Sequence, residues 1–241
     1  LVTALLLYAG IRFAVPAIAE EVAEAVPPSV AQGMDRAVLR GFDEGVLAPS
    51  RLTLADRQRI EALLVPLIPG APSHVRPALA FREGGEGVGA NAFALPGGQI
   101  VVTDAIVELL TDAELQAVLA HELSHGAERH GLRRGLQFSG LAVLWSWVTG
   151  DLGALLTILP ATLLELSYAR DFEFEADAQA VERLWAIGQD PEALAQALGR
   201  LSPDGTETGS PGYLSTHPPT AERLAALAAA VERVRGGEGA L

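Results

Sequence analysis

The 241-residue chain has no cysteine, no lysine, a single methionine and few aromatic residues, 5% of the total. Without cysteine there is no disulfide framework and no thiolate ligand, so any bound metal must be held by imidazole and carboxylate. The absence does not define a compartment, since a cysteine-free chain suits either redox environment. With lysine missing, all 17 basic residues are arginine; they face 30 acidic residues, and the net charge is −13. Such a surface repels phosphate backbones and argues against nucleic acid as a partner, its simplest role being solubility. Disorder is excluded as well, because 49% of the residues are hydrophobic and only 20% charged. A chain of this composition and length suits one domain with a well-buried core.

Residues Leu1 to Ala19 are mostly apolar but are interrupted by Arg12 and Pro16. A membrane span needs about 20 apolar residues, so this stretch reads as the trailing part of an anchor. An amphipathic helix packed on the domain is the alternative, because Arg12 is costly in mid-bilayer. The expected division is an N-terminal apolar helix, the remnant of a membrane anchor, over 1–26, and one domain over 27–241. Pro27-Pro28 ends the first helix; helices follow at 29–44 and from Thr53, capped with Asp56, to about Val65. Val75 to Arg82 reads as a strand that Pro77 demotes to an edge. Ala90 to Leu95 and Gln99 to Thr103 form a hairpin around Pro96-Gly97-Gly98.

Thr111-Asp112-Ala113-Glu114 is a capping box, opening a helix expected to reach about His130. The apolar stretch 136–166 is broken at Thr149-Gly150-Asp151. Each half would be about 20 Å long as a helix, too short to span a bilayer, so a buried or interfacial helical pair is expected. Helices from about Leu166 to Ile187 and from Asp190-Pro191 follow, then a Gly/Pro/Ser-rich loop over 202–219 and a closing helix from Thr220 to Arg235. The fold class expected is α+β, predominantly helical, with a small antiparallel β-sheet.

His121-Glu122-Leu123-Ser124-His125 is an H-E-x-x-H motif within that helical segment. At about 100° per residue the two histidines stand about 40° apart, so both imidazoles project from one face, as two ligands to one tetrahedral metal must. Glu122 lies about 100° round from His121, poorly placed as a ligand but able to reach a water on the metal. That is where a general base for amide hydrolysis belongs. A chance match is expected in under about 1% of chains this size. The adjoining apolar face of Leu115, Val118 and Leu119 is also no setting for incidental surface histidines.

A catalytic zinc needs a third protein ligand and an open position. Of the histidines His74, His121, His125, His130 and His217, His130 is nine residues beyond His121. At about 180° round the same helix it is expected to face away. The better source is Asp171 to Asp177, where Glu173 and Asp177 stand at i and i+4. One carboxylate serves the metal and the other accepts the remaining N–H of a ligand histidine, a role that fits Asp177. Glu175 reads as part of a solvated acidic face.

With Glu173-x-x-Ala176-Asp177 added, the motif resembles metallopeptidase family 48, which contains the HtpX-like, Ste-type CAAX-prenyl and Oma-type proteases. Asn91-Ala92-Phe93-Ala94-Leu95-Pro96-Gly97-Gly98 is similar to that family's hairpin before the active-site helix. Ser215-Thr216-His217-Pro218-Pro219 with Arg223 is similar to its late His-Pro motif. The likeness covers about residues 50–230 in the family's order, and departs from it in the glycine-rich run Gly84 to Gly89. The resemblance implies a gluzincin site with one Zn2+ per subunit, Glu173 as third ligand beside His121 and His125, and Asp177 supporting a ligand histidine. It further implies that Asn91, Ala92 and Phe93 pair with an extended substrate, as an edge strand can by strand addition. His217, with Arg223, would approach the tetrahedral oxyanion.

The function expected is that of a zinc-dependent metalloendopeptidase, with Glu122 activating a water on the metal for attack on polypeptide substrates. The domain would be tethered to or lying on a membrane. The resemblance implies membrane-protein quality control in a bacterial-type cell envelope. The acidic stretch after the apolar start favours a periplasmic or extracytoplasmic catalytic domain, because flanking positive charge marks the cytoplasmic side. CAAX-type cleavage is disfavoured, since that subgroup surrounds its site with many spans. Two rivals stand beside this reading. One is a metal-containing chaperone-like or binding module without turnover, against which only Glu122 speaks; the other is a structural membrane protein with incidental histidines. Nothing in the residues points to an oligomeric state.

Overall fold

The computed structural model describes residues 10–85, 87–138, 170–202 and 212–237. The expected helical pair at 136–166 lies outside the described residues from 139 onward, and so do residues 1–9 of the apolar start. Among the described residues no helix is long and apolar enough to cross a membrane.

A π-helical turn, Gly10–Ala14, leads into α1 (Val15–Ala25), and the Pro27-Pro28 pair separates it from α2 (Pro28–Gly45). Proline at the first helical position starts α2 because its missing N–H would be unpartnered there in any case. Strand β1 (Leu47–Pro49) and helix α3 (Leu54–Leu64) follow, the latter capped by the Thr53 hydroxyl accepting from the Asp56 N–H. Strands β2 (Ala78–Gly84), β3 (Ala92–Ala94) and β4 (Gln99–Thr103) precede α4 (Asp104–Leu109) and α5 (Asp112–Ala127). The chain is helical again over 130–138. The last helices are α6 (Arg170–Ala186), α7 (Glu192–Leu201), the four-residue α8 (Tyr213–Thr216) and α9 (Ala221–Arg235).

The chain is thus α+β and mainly helical. Its sheet has the order β1-β2-β4-β3 and is mixed rather than wholly antiparallel, because β2 runs parallel to β4 while β1 and β3 pair antiparallel with their neighbours. The parallel pair is possible because the chain between them crosses over through β3 and its loops. Nor is the strand after Pro77 an edge: β2 begins at Ala78, so the proline stays outside the ladder and the strand lies inside the sheet. The edge is β3. Both faces of the sheet are covered, as alternation on β4 shows: Ile100 and Val102 join the main core, while Val101 packs with Phe42, Ala80 and Leu95 on the α2 side.

Helix α5 runs through the middle of the main core. Leu115, Val118, Leu119 and Leu123 are buried against Ile60 and Leu64 of α3, Val181 and Leu184 of α6, Leu194 and Leu198 of α7, and Leu227 and Val231 of α9. Its capping box closes as expected, with Thr111 and Glu114 each bonding the other's backbone N–H. The hairpin tip before β4 is fixed by tight contacts. Gly98 adopts φ +95°, and a Cβ there would stand 2.6 Å from Val75 Cγ1. The buried Asp35 of α2 accepts the Gly97 N–H at 2.6 Å, so the tip of the hairpin carrying β3 is anchored on α2.

Candidate metal centre

A helix buried on all sides can present polar side chains only where other polar groups meet them. His121, Glu122 and His125 of α5 are buried, and so are Glu173 and Asp177 of α6 and His217 just beyond α8. One turn apart on α5, His121 and His125 bring their Nε2 atoms within 2.9 Å of each other. Glu173 crosses from α6, its carboxylate oxygens 3.6 Å from His121 Nε2 and 3.3 Å from His125 Nε2. His217 Nδ1 completes the cluster at 3.0 Å from Glu173 Oε1 and 3.3 Å from His121 Nε2. One donor atom from each of His121, His125, Glu173 and His217 lies within 4.8 Å of all the others, a group able to hold a metal ion.

The chemistry of this donor set fits a cation. His121 Nδ1 lies 2.8 Å from Asp177 Oδ1, so the proton of a neutral His121 sits on Nδ1 and its Nε2 offers a lone pair. His125 has its Nδ1 2.9 Å from His130 Nδ1, and donation across that contact leaves its Nε2 a lone pair too. Two lone pairs 2.9 Å apart repel unless a proton or a metal ion lies between them. Electrostatics agree. Burial works against a proton on His121, yet Asp177 and Glu173 raise its pKa to about 9. His125 is pushed the other way, well below the ordinary histidine value, by burial and by the charge on His121. Burial also works to raise Glu173, but His217, His121 and His125 hold its carboxyl well below the usual range. The pocket therefore favours one positive charge among these donors, in a place where only ionised carboxylates balance it.

Glu122 is buried beside the donor cluster. Its Oε2 accepts the Ala94 N–H of β3 at 2.9 Å, and its Oε1 stands 3.4 Å from His217 Nε2. Burial raises its pKa, against the lowering influence of His217 and His121. A carboxylate so tuned has a stronger appetite for a proton than one in water. The edge strand β3 brings Ala92 and Phe93 alongside this site, antiparallel to Val102 and Val101. Asn91 precedes the strand, its backbone N–H and C=O both engaged with Thr103.

Arg223 is placed differently from the substrate-side position expected of it. Nearly fully buried, it donates through Nε and a terminal nitrogen to both oxygens of Asp177, at 2.7 and 2.9 Å, and its other terminal nitrogen lies 2.6 Å from Glu173. Its guanidinium fork is occupied beneath the two carboxylates, so it orders them rather than facing a peptide. Asp177 is accordingly held below its ordinary value: burial opposes this, and Arg223 and His121 outweigh it.

His130 also departs from expectation. α5 ends at Ala127, Arg129 takes a left-handed φ of +53°, and the reversed chain returns His130 to the site. There it is buried against His125, while its Nε2 lies 3.1 Å from Glu175 Oε2. Glu175 is on the exposed side of α6 as expected, with its carboxylate reaching His130. Helical arithmetic missed His130 because it assumed an unbroken helix, and an arginine in the left-handed region leaves no glycine signal to mark the stop. Tyr213, unremarked in the sequence, stacks on His217 with ring centroids 4.4 Å apart.

A buried H-E-x-x-H helix joined by a glutamate from a second helix is the arrangement of a metallopeptidase. Residues 80–231 match Peptidase family M48, and the chain belongs to that family. It is 36% identical to the mitochondrial metalloendopeptidase OMA1 of Arabidopsis thaliana, over 58% of this chain and 29% of that protein. It is 35% identical to a protease HtpX homolog of Acaryochloris marina, over 57% of each. To the beta-barrel assembly-enhancing protease of Escherichia coli strain K12 it is 32% identical, over 56% of this chain and 31% of the relative. The chain thus spans between about a third and somewhat over half of the length of these curated relatives.

Proposed function

We propose that the chain is a zinc-dependent metalloendopeptidase. The observation that carries this reading is the convergence of His121, His125 and Glu173 beside an ionisable Glu122 that the β3 backbone holds in place. His121 and His125 would hold the ion through Nε2 and Glu173 through its carboxylate. Zinc suits this set of imidazole and carboxylate donors. When bound, the ion polarises the scissile carbonyl and acidifies a water. Glu122 takes the proton of the attacking water on a carboxylate oxygen and delivers it to the leaving amine nitrogen. Asp177, clamped by Arg223, fixes the tautomer and direction of His121.

His217 is within reach of both Glu173 and Glu122. Four protein donors would close the coordination shell, whereas catalysis needs an open position, so His121, His125 and Glu173 would hold the ion and His217 would instead lie where it could face an oxyanion. Polypeptide is the substrate class, bound in extended form along β3, whose Ala92 and Phe93 lie on the sheet edge. Membrane-protein quality control in a bacterial-type envelope, with the catalytic domain extracytoplasmic, is the setting we propose. The exposed Phe13 and Ile18 at the N-terminal end support membrane association. The test is Glu122→Gln, which should keep the metal and lose peptide hydrolysis; activity near wild type refutes the assignment. Casein digestion with and without chelator separates this reading from a metal-holding binding module, which would show no digestion in either arm.

A further inference from the structure

The two ligand histidines are oriented by chemically different partners. His121 leans on a charged carboxylate that Arg223 grips from behind. For His125 the acceptor is another imidazole, where an oxygen is usual. We propose that His130, backed by Glu175, is the positioning residue that sets the tautomer and aim of His125 and thereby the affinity of the site for zinc. The inference rests on the metallopeptidase reading above, since it assumes that His125 binds through Nε2.

Proton placement along the chain follows from that assumption. A ligating Nε2 carries no hydrogen, so the His125 proton resides on Nδ1 and is donated to His130 Nδ1 at 2.9 Å. His130 then accepts on Nδ1 and carries its own proton on Nε2, which points at Glu175 Oε2 3.1 Å away. Every contact has one donor and one acceptor, running from the metal outward to a carboxylate whose side chain is 42% exposed. Reversing the direction would put a proton on His125 Nε2 and expel the ion.

The geometry that serves this chain is built at some cost. A non-glycine residue is disfavoured in the left-handed region, yet Arg129 adopts it and so brings His130 back to His125. The turn is held because Arg129 donates to the Ala23 and Val26 carbonyls at the end of α1, at 2.6 and 2.8 Å. Phe172 of α6 stacks on the His130 ring, with centroids 4.3 Å apart and planes 10° from parallel, and Arg133 lies over the same Phe172 ring. The imidazole therefore has one orientation, and both its nitrogens are committed.

The experiment measures zinc affinity of the full chain by chelator competition, with the visible spectrum of the cobalt-substituted protein as a second readout. His130→Phe keeps a flat ring against Phe172 but removes the acceptor; His130→Asn gives up the ring and keeps an acceptor oxygen. Zinc should bind His130→Phe about 10–100-fold more weakly, with a shifted cobalt spectrum, and His130→Asn should recover part of the loss. The proposal is overturned if His130→Phe binds as wild type does, or if His130→Asn falls as far as His130→Phe, which would make the role one of packing. Should His130→Phe fail to fold, the half-exposed Glu175→Ala decides: a several-fold loss of affinity supports the proposal and an unchanged affinity overturns it. Wild-type protein that binds no zinc would instead sink the metallopeptidase reading itself, a distinguishable failure.

Discussion

Removing Arg223 is the sharpest test of how the site is held together. Its guanidinium is packed directly against the buried carboxylates of both Glu173 and Asp177, at 2.6 to 2.9 Å. Arg223→Met keeps most of the length and apolar volume and deletes the charge. Breaking a buried pair by removing one partner costs about 3–5 kcal/mol, because the remaining charge stays desolvated. His121 still donates to Asp177, so the lower part of that range, about 3–4 kcal/mol, is expected for the metal-free protein. At about 2–4 °C per kcal/mol for a chain of this size, the melting temperature should fall by roughly 6–16 °C. Saturating zinc should reduce the loss, since the ion then neutralises Glu173. The assay is thermal unfolding of wild type, Arg223→Met, Asp177→Asn and the double variant, with and without zinc. The double variant should be less destabilised than the sum of the singles, the sign of a shared interaction. A fall below about 2 °C for Arg223→Met, or strict additivity, would refute the buried-clamp argument.

Four further outcomes are expected. Glu173→Ala should lower zinc content sharply by elemental analysis, and full occupancy would move the third ligand elsewhere. Stability should fall in acid: Glu173 and Asp177 have folded pKa values below their ordinary 4.5 and 3.8. Their contribution is therefore complete above about pH 5 and is lost as pH drops through the folded values; a metal-free melting temperature that stays flat from pH 5 to pH 2 would contradict this. Thr111→Ala opens the capping box of α5 and should cost about 1 kcal/mol in chemical denaturation. Gly98→Ala meets both a left-handed φ and Val75, and should cost more than about 1 kcal/mol; a neutral result would mean the hairpin tip can shift.

What was legible in the sequence was local. Thr111 and Glu114 name their helix start by spacing alone, and His121 and His125 share a face wherever that helix goes. Asp177 follows from Glu173 because i and i+4 on one helix reach the same neighbour. What was not legible depends on contacts far apart in sequence or on backbone that breaks a rule. The parallel pairing of β2 with β4 arises from a crossover that no single window contains. The resemblance puts Arg223 on the substrate side with His217, and only the packing of α9 against α6 shows it under two carboxylates. His130 was assigned to the wrong side because the helix stops three residues short of it, at an arginine whose strained φ is sustained by carbonyls of α1.

On the proposed function, one ion sits between α5 and α6 and Glu173 closes the site. The most direct measurement is the anomalous scattering of a zinc-soaked crystal, recorded on either side of the zinc absorption edge. A single peak is expected about 2.0–2.2 Å from His121 Nε2, His125 Nε2 and a Glu173 oxygen, with Glu122 outside that shell. A peak elsewhere, or one bound to the two histidines while Glu173 turns away, would contradict it.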